Sequence, residues 1–364
     1  MRKDFDVKSR NSELRGKRAS RIIHHSWVLL LVIAGLLIGP FLPSSTDEAE
    51  ARRRRPKIMF KVATVAPEGT TWMKLMHELD ERVRTETGGE VGFKFYAGGT
   101  QGSDLDVLRK MRSGQIHGGG LTGVGLGEIE PSLRIMELPF MFRNQDEVSK
   151  AHELLDPVFE EKMSKRGFEI LGWAELGFVY VYSQKSISSV EDLRRMKMWL
   201  WEGDPLAKAL LDGYDVSPVP LNMTDVLTSL QTGIVNAVYS TPYGCLSLQW
   251  FSRLKYMMDT PISYAVGAVV LSKKQYDRMN DSQKTIVKGI ADDIFSRLKS
   301  STQSENEEAR AAMAEKYITA TAVDPNAVTG FAATGSQVWE ELVGVLYERP
   351  LLDRLNQALV AERD

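Results

Sequence analysis

Apolar and polar positions follow two different periods along the chain. The stretch 58–67 is apolar and β-branched, which predicts a strand, and 70–89 has apolar residues at helical spacing and ends at two glycines. A second strand is predicted over 90–99, and a second helix from the N-cap residue Ser103 to near Gly114. Strands separated by helices predict βαβ units and a largely parallel sheet.

The second half of the chain repeats this alternation. Two strand-like stretches flank Gly177, a helix capped at Thr224 is predicted to end near Gly233 with a strand after it, and 262–272 is a further apolar strand. From 282 to 317 the pattern is helical, with a stripe of isoleucine and leucine at i,i+4 spacing. A helix of this length without a heptad partner suggests that it spans two domains.

The segment 192–205 raises the question of function. A strand is predicted over 196–201, so that Lys197, Trp199 and Trp201 share one face. Two tryptophans on one face, beside a turn, are compatible with core packing and equally with the wall of a binding pocket.

Composition and charge are typical of a soluble protein with a large core. Of the 364 residues, 43% are hydrophobic and 26% are charged, with a net charge of −2, which gives no electrostatic reason to expect nucleic acid as a partner. Cys245 is the only cysteine in the sequence, so an intrachain disulfide and a thiolate metal cluster are excluded. The length is sufficient for two domains.

The first 56 residues are predicted to lie outside the fold. A polar, mostly basic stretch over 1–25 precedes sixteen uncharged residues at 27–42, which is the pattern of a secretory signal peptide. This apolar run is shorter than the ~20 residues of a typical spanning helix. A small-residue cleavage site is available at 49–51, and an uncleaved inner-membrane anchor is the alternative. In both cases we expect the body of the protein in the periplasm, after a basic linker at 52–56.

No motif for catalysis or for a cofactor is convincing. The glycines of 118–123 match the Gly-x-Gly-x-x-Gly spacing of dinucleotide loops, but we predict no helix after them and prefer a close backbone approach in a crevice between domains. The five histidines show no metal-ligand spacing, and no nucleophile–base pair is recognisable. We therefore expect no cofactor, no metal and no enzymatic activity.

Several segments, in order and at consistent spacings, resemble a known family. They are YAGGTQGSDLDVLRKMRSGQI (96–116), MELPFMF (136–142), LGWAELGF (171–178), VEDLRRMKMW (190–199) and PVPLNMTDVLTSLQTGIVNA (218–237). Each is weakly specific by itself. Together they resemble the periplasmic solute receptors of tripartite ATP-independent periplasmic (TRAP) transporters, of the dicarboxylate-receptor type, over about 57–330.

The resemblance implies an α/β, two-lobed periplasmic binding protein fold with crossing hinge strands. Residues 57–178 and 261–285 would form lobe I, 179–260 and 300–345 lobe II, and 282–317 a long helix over both. It also implies a receptor that closes on a small-molecule ligand, does not alter it chemically, and docks on the small and large TRAP membrane subunits. We expect this receptor to be monomeric.

The chain departs from the family at the positions that hold a carboxylate. Trp199 and Val179 stand where relatives usually have arginine, and Ser240 stands where they have asparagine. In the first lobe, the corresponding positions fall on or near Val65 and Thr122. The predicted ligand-binding set is Val65, Trp72, Thr122, Val179, Lys197, Trp199, Trp201, Met223, Tyr239 and Ser240.

These departures replace charged or amide groups by apolar, aromatic or hydroxyl groups. An enclosed carboxylate without a guanidinium partner loses its hydration, which costs several kcal/mol. We therefore predict a neutral ligand with an aromatic or apolar body instead of a simple dicarboxylate, although Lys197, Arg143 or Arg195 could still meet an anion. The alternative is an envelope carrier or sensor subunit that binds a quaternary ammonium or lipid-like ligand with the same fold.

Overall fold

The computed structural model describes residues 55–363. The strands are β1 (Ile58–Thr64), β2 (Val91–Tyr96), β3 (Gly118–Thr122), β4 (Phe168–Ser183), β5 (Trp199–Trp201), β6 (Val219–Leu221), β7 (Ala237–Ser240), β8 (Tyr256–Met258), β9 (Ser263–Ser272) and β10 (Thr319–Thr321). The α-helices are α1 (Thr71–Glu86), α2 (Asp104–Arg112), α3 (Gly123–Ile129), α4 (Gln145–Lys165), α5 (Val190–Arg194), α6 (Pro205–Gly213), α7 (Val226–Thr232), α8 (Pro242–Ser247), α9 (Lys273–Tyr276), α10 (Asp281–Lys316), α11 (Pro325–Glu341) and α12 (Arg349–Arg363). Short 3-10 helices cover Pro131–Glu137, Met223–Asp225 and Trp250–Arg253.

Side-chain caps set the beginnings of several helices. The Ser103 hydroxyl accepts from the backbone of Asp106, whose carboxylate in turn accepts from the Ser103 backbone, as in a capping box. The predicted start of α2 is therefore confirmed. The predicted cap at Thr224 is wrong, because Met223–Asp225 forms a 3-10 turn and α7 begins after Asp225.

The main sheet is mixed. Its strand order is β10-β8-β4-β9-β3-β1-β2, with β7 also paired to β4. Strand β1 runs parallel to β2 and β3, as the βαβ pattern predicts, whereas β9 runs antiparallel to both β3 and β4. The prediction of a largely parallel sheet was therefore wrong for the centre of the sheet, where the two longest strands pair antiparallel. A separate pair of parallel strands, β5 and β6, lies beside it.

Strand β4 is one continuous strand of 16 residues, not two. Its first part pairs with β9 from Phe168 to Val179, and its last part pairs with β7 and β8. The register shifts between Glu175 and Gly177, where Gly177 has a φ of +109°. The glycine seen in the sequence therefore marks an irregularity inside a strand that only glycine accommodates without strain.

The long helix α10 spans 36 residues and contacts β4, α1 and α8. Its buried residues include Ile290, Ile294 and Leu298 from the predicted stripe, and Val287 from the adjacent turn. Fully burying an aliphatic side chain of this size stabilises the fold by roughly 1.5–3 kcal/mol. These helix residues share one core cluster with Leu171 and Ala174 of β4.

The apolar segment at 27–42 and the basic linker lie outside the described residues. Within 55–363, none of the helices combines the length and the apolar character needed to cross a membrane.

Candidate functional site

A cavity of about 290 Å³ opens where several strands end. Thr64 and Thr122, the last residues of β1 and β3, line it together with Ser240 at the end of β7. Helices α8 and α10 supply further walls through Tyr243 and Glu305. The carboxyl ends of strands are where open α/β sheets bind their ligands.

One wall of the cavity is a cluster of stacked aromatic rings. The Trp199 ring stacks on Tyr239 with centroids 4.9 Å apart, meets the edge of Trp250 at 5.2 Å and lies 5.8 Å from Trp201. The Trp199 indole N–H donates to the carbonyl oxygen of Leu221 at 3.0 Å. Trp199 is 1% exposed and lines the cavity. The two interpretations of this residue are therefore compatible, because it is both core and pocket wall.

A buried ion cluster forms a second wall. The Arg134 side chain comes from the 3-10 helix Pro131–Glu137, with its Nε 2.9 Å from Oε2 of Glu137 and its Nη2 3.0 Å from Oδ1 of Asp204. Asp204 is also the N-cap of α6, where Oδ1 accepts from the backbone of Leu206 and Ala207. All three charged side chains line the cavity.

The glycines of helix α3 make room for this cluster. A Cβ atom at Gly123 would overlap the Glu137 carboxylate, and one at Gly127 would fall 2.8 Å from Cγ and Cδ of Arg134. At Gly125 it would fall 2.8 Å from the Asp104 carboxylate. Of the glycines of 118–123, for which a close backbone approach was predicted, Gly123 is the one that a charged side chain approaches. The position of this segment in a crevice between domains stays a prediction.

The prediction that no helix follows the glycines of 118–123 was wrong. Strand β3 is followed at once by α3, because the glycines remove the side chains that would collide with the neighbouring carboxylates. The position that a phosphate would take in a dinucleotide loop is filled by Asp104, which accepts from the backbone N–H and the hydroxyl of Thr122 at 2.9 and 2.7 Å. Burial raises the pKa of this carboxyl.

Burial and charge both act on the ionisable groups of the cavity. Burial raises the pKa of the Glu137 carboxyl, and the charge of Arg134 offsets this only in part. Burial by itself would lower the pKa of Arg134, but the charges of Asp204 and Glu137 outweigh it and hold the guanidinium protonated. Burial also raises the pKa of the Tyr239 hydroxyl well above its usual value, and the nearby Asp204 adds to this.

The end of the cavity bordered by α8 and α10 is acidic. Glu305 from α10 accepts a hydrogen bond from the Thr71 hydroxyl, and the Tyr243 hydroxyl lies within hydrogen-bonding reach of both. Burial raises the pKa of Tyr243, and the charge of Glu305 adds to this. This end therefore combines a carboxylate with an aromatic ring.

Most of the predicted site residues lie together. Those that line the cavity are Val65, Trp72, Thr122, Val179, Trp199, Trp201, Met223, Tyr239 and Ser240. Lys197 does not line it: the side chain is exposed, and its Nζ donates to the carbonyl oxygen of Gly233 at 3.1 Å. Arg143 and Arg195 are also exposed and lie outside the cavity. That the nine cavity-lining residues bind the ligand remains a prediction.

The cavity also contains residues that the sequence did not indicate, namely Arg134, Glu137, Asp204, Trp250 and Glu305. The only local indication was the Asp204–Pro205 pair, a helix-start pattern. Among residues 55–363, the structure contains no group of three or more His, Cys, Asp and Glu side chains arranged to hold a metal ion.

Comparison with known families decides what kind of protein this is. Residues 62–344 match the family of bacterial extracellular solute-binding proteins, family 7. The chain belongs to this family. The predicted family is thereby confirmed, and the nine cavity residues can be considered in the setting of a solute-binding protein.

Individual relatives are distant. A solute-binding protein of Sulfitobacter sp. (strain NAS-14.1) is 21% identical over 259 residues, which cover 70% of this chain and 76% of that protein. The 2,3-diketo-L-gulonate-binding periplasmic protein of Escherichia coli (strain K12) is 21% identical over 56% of this chain and 62% of that protein.

Solved structures confirm the fold class. A TRAP periplasmic solute-binding protein of Haemophilus influenzae with bound L-gulonate has a TM-score of 0.77 at 14% identity, over 82% of this chain and 99% of that one. One of Sulfurospirillum deleyianum with bound succinate has a TM-score of 0.76 at 17% identity, over 83% and 99%. The α/β fold of this solute-binding protein is therefore the two-lobed fold of those receptors.

Proposed function

We propose that this solute-binding protein is the extracytoplasmic receptor of a TRAP-type secondary transporter. It binds a small organic ligand between two lobes, 57–178 with 261–285 and 179–260 with 300–345, and delivers it to the membrane subunits as a monomer. Family membership supports a receptor role, and the cavity at the strand ends supports the position of the ligand. A ligand that touches both lobes favours the closed over the open state.

The observation that carries the ligand class is the charge of the cavity lining. Among the residues that the structure describes, the charged side chains lining the cavity are Arg134, Glu137, Asp204 and Glu305, so carboxylates outnumber cations. The arginine is already paired with two of those carboxylates. We therefore propose a neutral ligand with an aromatic or apolar body, which stacks on Trp199 and its neighbours, in contrast to the L-gulonate and succinate of the two receptors above.

A second candidate rests on the acidic end of the cavity. Glu305 beside Tyr243, with Trp72 also in the lining, combines a carboxylate with aromatic faces, and such faces attract organic cations. A quaternary ammonium ligand, or a lipid-like one carried by an envelope carrier or sensor subunit, would use this end. Membrane transporter genes beside the gene for this chain would favour the receptor over the carrier.

A thermal-shift screen followed by calorimetry tests both candidates. The panel contains organic acids including succinate and L-gulonate, aromatic acids, neutral aromatics, sugars and betaines. We expect the largest rise of Tm with neutral aromatics, because RT ln(1 + [L]/Kd) grows with affinity for the folded state. Tight binding of succinate or L-gulonate would sink the neutral-ligand proposal, and betaines as the best ligands would favour the second candidate.

A further inference from the structure

Two nitrogens of the Arg134 guanidinium, Nε and Nη1, are buried and have no hydrogen-bond partner among residues 55–363. Arg134 is 3% exposed, its Nε faces Glu137, and its Nη2 faces Asp204 at 3.0 and 3.2 Å from the two carboxylate oxygens. Nε is held by its ion pair with Glu137, whose Oε2 is 2.9 Å away, which leaves Nη1 as the donor for a further acceptor. An unused donor on a buried side chain that lines a cavity costs free energy unless a ligand or a water molecule accepts from it.

The charge of Arg134 is already compensated. The cluster contains one cation and two carboxylates, so a further carboxylate at Nη1 would approach a site without net positive charge. It would also lose its hydration in an enclosed cavity. A neutral oxygen, such as that of a carbonyl or an amide, accepts the same hydrogen bond without these two costs.

A second donor lies at the same end. The backbone N–H of Trp201 donates to the Tyr239 hydroxyl oxygen at 3.0 Å, which leaves the hydroxyl proton free for another acceptor. Burial, followed by the charge of Asp204, raises the pKa of Tyr239, so this proton stays in place at neutral pH. The Tyr239 ring also stacks on Trp199, and polar donors therefore adjoin an aromatic wall.

We propose that Arg134 is a ligand-binding and specificity-determining residue that donates from Nη1 to a neutral oxygen of the ligand, with Tyr239 as a second donor. The ligand class is then an aromatic or apolar compound that carries a carbonyl or amide oxygen. This inference rests on the proposed function, which it narrows. Asp204 and Glu137 act on specificity by cancelling the charge that would otherwise attract a carboxylate.

Three probes with the same ring test the inference on the full chain by calorimetry at neutral pH: phenylacetamide, phenylacetate and 2-phenylethylammonium. We expect phenylacetamide to bind about tenfold more tightly than phenylacetate. Arg134→Lys should weaken phenylacetamide about tenfold, because an ammonium can pair with both carboxylates but has no planar fork with a further donor. The control Arg166→Lys changes an arginine that pairs with Glu130 outside the cavity, and it should leave the affinities unchanged.

A second variant keeps the test decisive if Arg134→Lys does not fold. Asp204→Asn preserves the helix cap through its side-chain oxygen and removes one compensating charge, so that the affinity for phenylacetate relative to phenylacetamide should rise about tenfold. The inference would be overturned if Asp204→Asn changed the affinities for phenylacetamide and phenylacetate equally. It would also be overturned if folded Arg134→Lys bound phenylacetamide as tightly as the wild type, or if the wild type did not bind phenylacetamide. So would 2-phenylethylammonium as the tightest probe. Tight binding of succinate or L-gulonate would separately overturn the neutral ligand class of the proposed function and leave the receptor role in place.

Discussion

Asn306 on the long helix donates from Nδ2 to the carbonyl oxygen of Leu176 at 2.9 Å, inside the irregular part of strand β4. Its Oδ1 accepts from the backbone N–H of Tyr243 at 3.0 Å, and Tyr243 lines the cavity. One side chain of α10 therefore fixes both the bulged strand and the helix that borders the site.

We expect Asn306→Ala to lower the free energy of unfolding by about 1–3 kcal/mol, since two backbone groups lose their side-chain partner. Urea unfolding followed by circular dichroism measures this change. Gln303→Ala, an exposed position one turn earlier on the same helix, is the matched control and should change stability by less than about 0.5 kcal/mol. Equal effects of the two variants would contradict the bridging role.

Gly177 is expected to tolerate no side chain. Its φ of +109° disfavours any other residue, and a Cβ atom there would fall 2.6 Å from Nδ2 of Asn306. Gly177→Ala should therefore cost about 1–3 kcal/mol of unfolding free energy. Gly289→Ala, on the exposed side of α10 with nothing within 4 Å of the added Cβ, should instead raise it by about 0.5–1 kcal/mol. The two melting temperatures should move in opposite directions, and a shift of both in one direction would refute the argument.

The indole N–H of Trp199 makes a hydrogen bond that its phenylalanine variant cannot. Trp199→Phe should lower the free energy of unfolding by about 1–2 kcal/mol through that bond and the smaller ring. Trp173→Phe is the matched control. The Trp173 Nε1 is buried without a hydrogen-bond partner among the described residues, so this substitution removes an unsatisfied donor and no hydrogen bond. Chemical denaturation of both variants compares them, and a larger cost at Trp173 would contradict the prediction.

Glu137 should make stability depend on pH. Burial raises the pKa of its carboxyl in the folded state above the usual 4.5. At a pH between the pKa of Glu137 in the unfolded chain and its higher pKa in the folded protein, the folded protein binds more protons than the unfolded chain. This group therefore makes the free energy of unfolding fall as pH rises through that interval. Glu137→Gln removes the dependence, and its unfolding free energy relative to wild type should increase with pH from about 4.5 upward.

Guanidinium unfolding of wild type and Glu137→Gln at several pH values between about 4 and 8 measures that difference. Glu161→Gln serves as the control, because a hydrogen bond from Lys165 lowers the pKa of the exposed Glu161 carboxyl. Its difference from wild type should vary only below about pH 4.5 and in the opposite sense. A pH-independent difference for Glu137→Gln would contradict the raised pKa.

Local patterns predicted the helices more closely than the strand pairing. Capping at Ser103 and apolar spacing in the long helix depend on residues within a few positions, and the helix predicted over 282–317 is Asp281–Lys316 in the structure. The direction in which β4 and β9 pair depends on where the chain returns across the sheet. Alternation of strands and helices does not contain that information.

The aromatic wall could be predicted and the ion cluster could not. Trp199 stood out because its residue type departs from the family pattern at one position of a short strand. Arg134 pairs with Asp204, 70 residues away, and the only local pattern, the helix start at Asp204–Pro205, does not indicate this pairing. Lys197 was misplaced for a related reason: strand β5 begins only at Trp199, so the alternation assumed for a longer strand did not reach it.

The spacing of glycines in α3 also limits how this protein could be engineered. Replacing helical glycine by alanine is a common route to higher thermal stability, and Gly289 is open to it. In α3 the same exchange would drive a methyl group into Glu137, Asp104 or Arg134. This glycine-rich helix is thus closed to consensus optimisation, because its missing side chains are the condition under which three charged groups pack against it, two of them in the lining of the cavity.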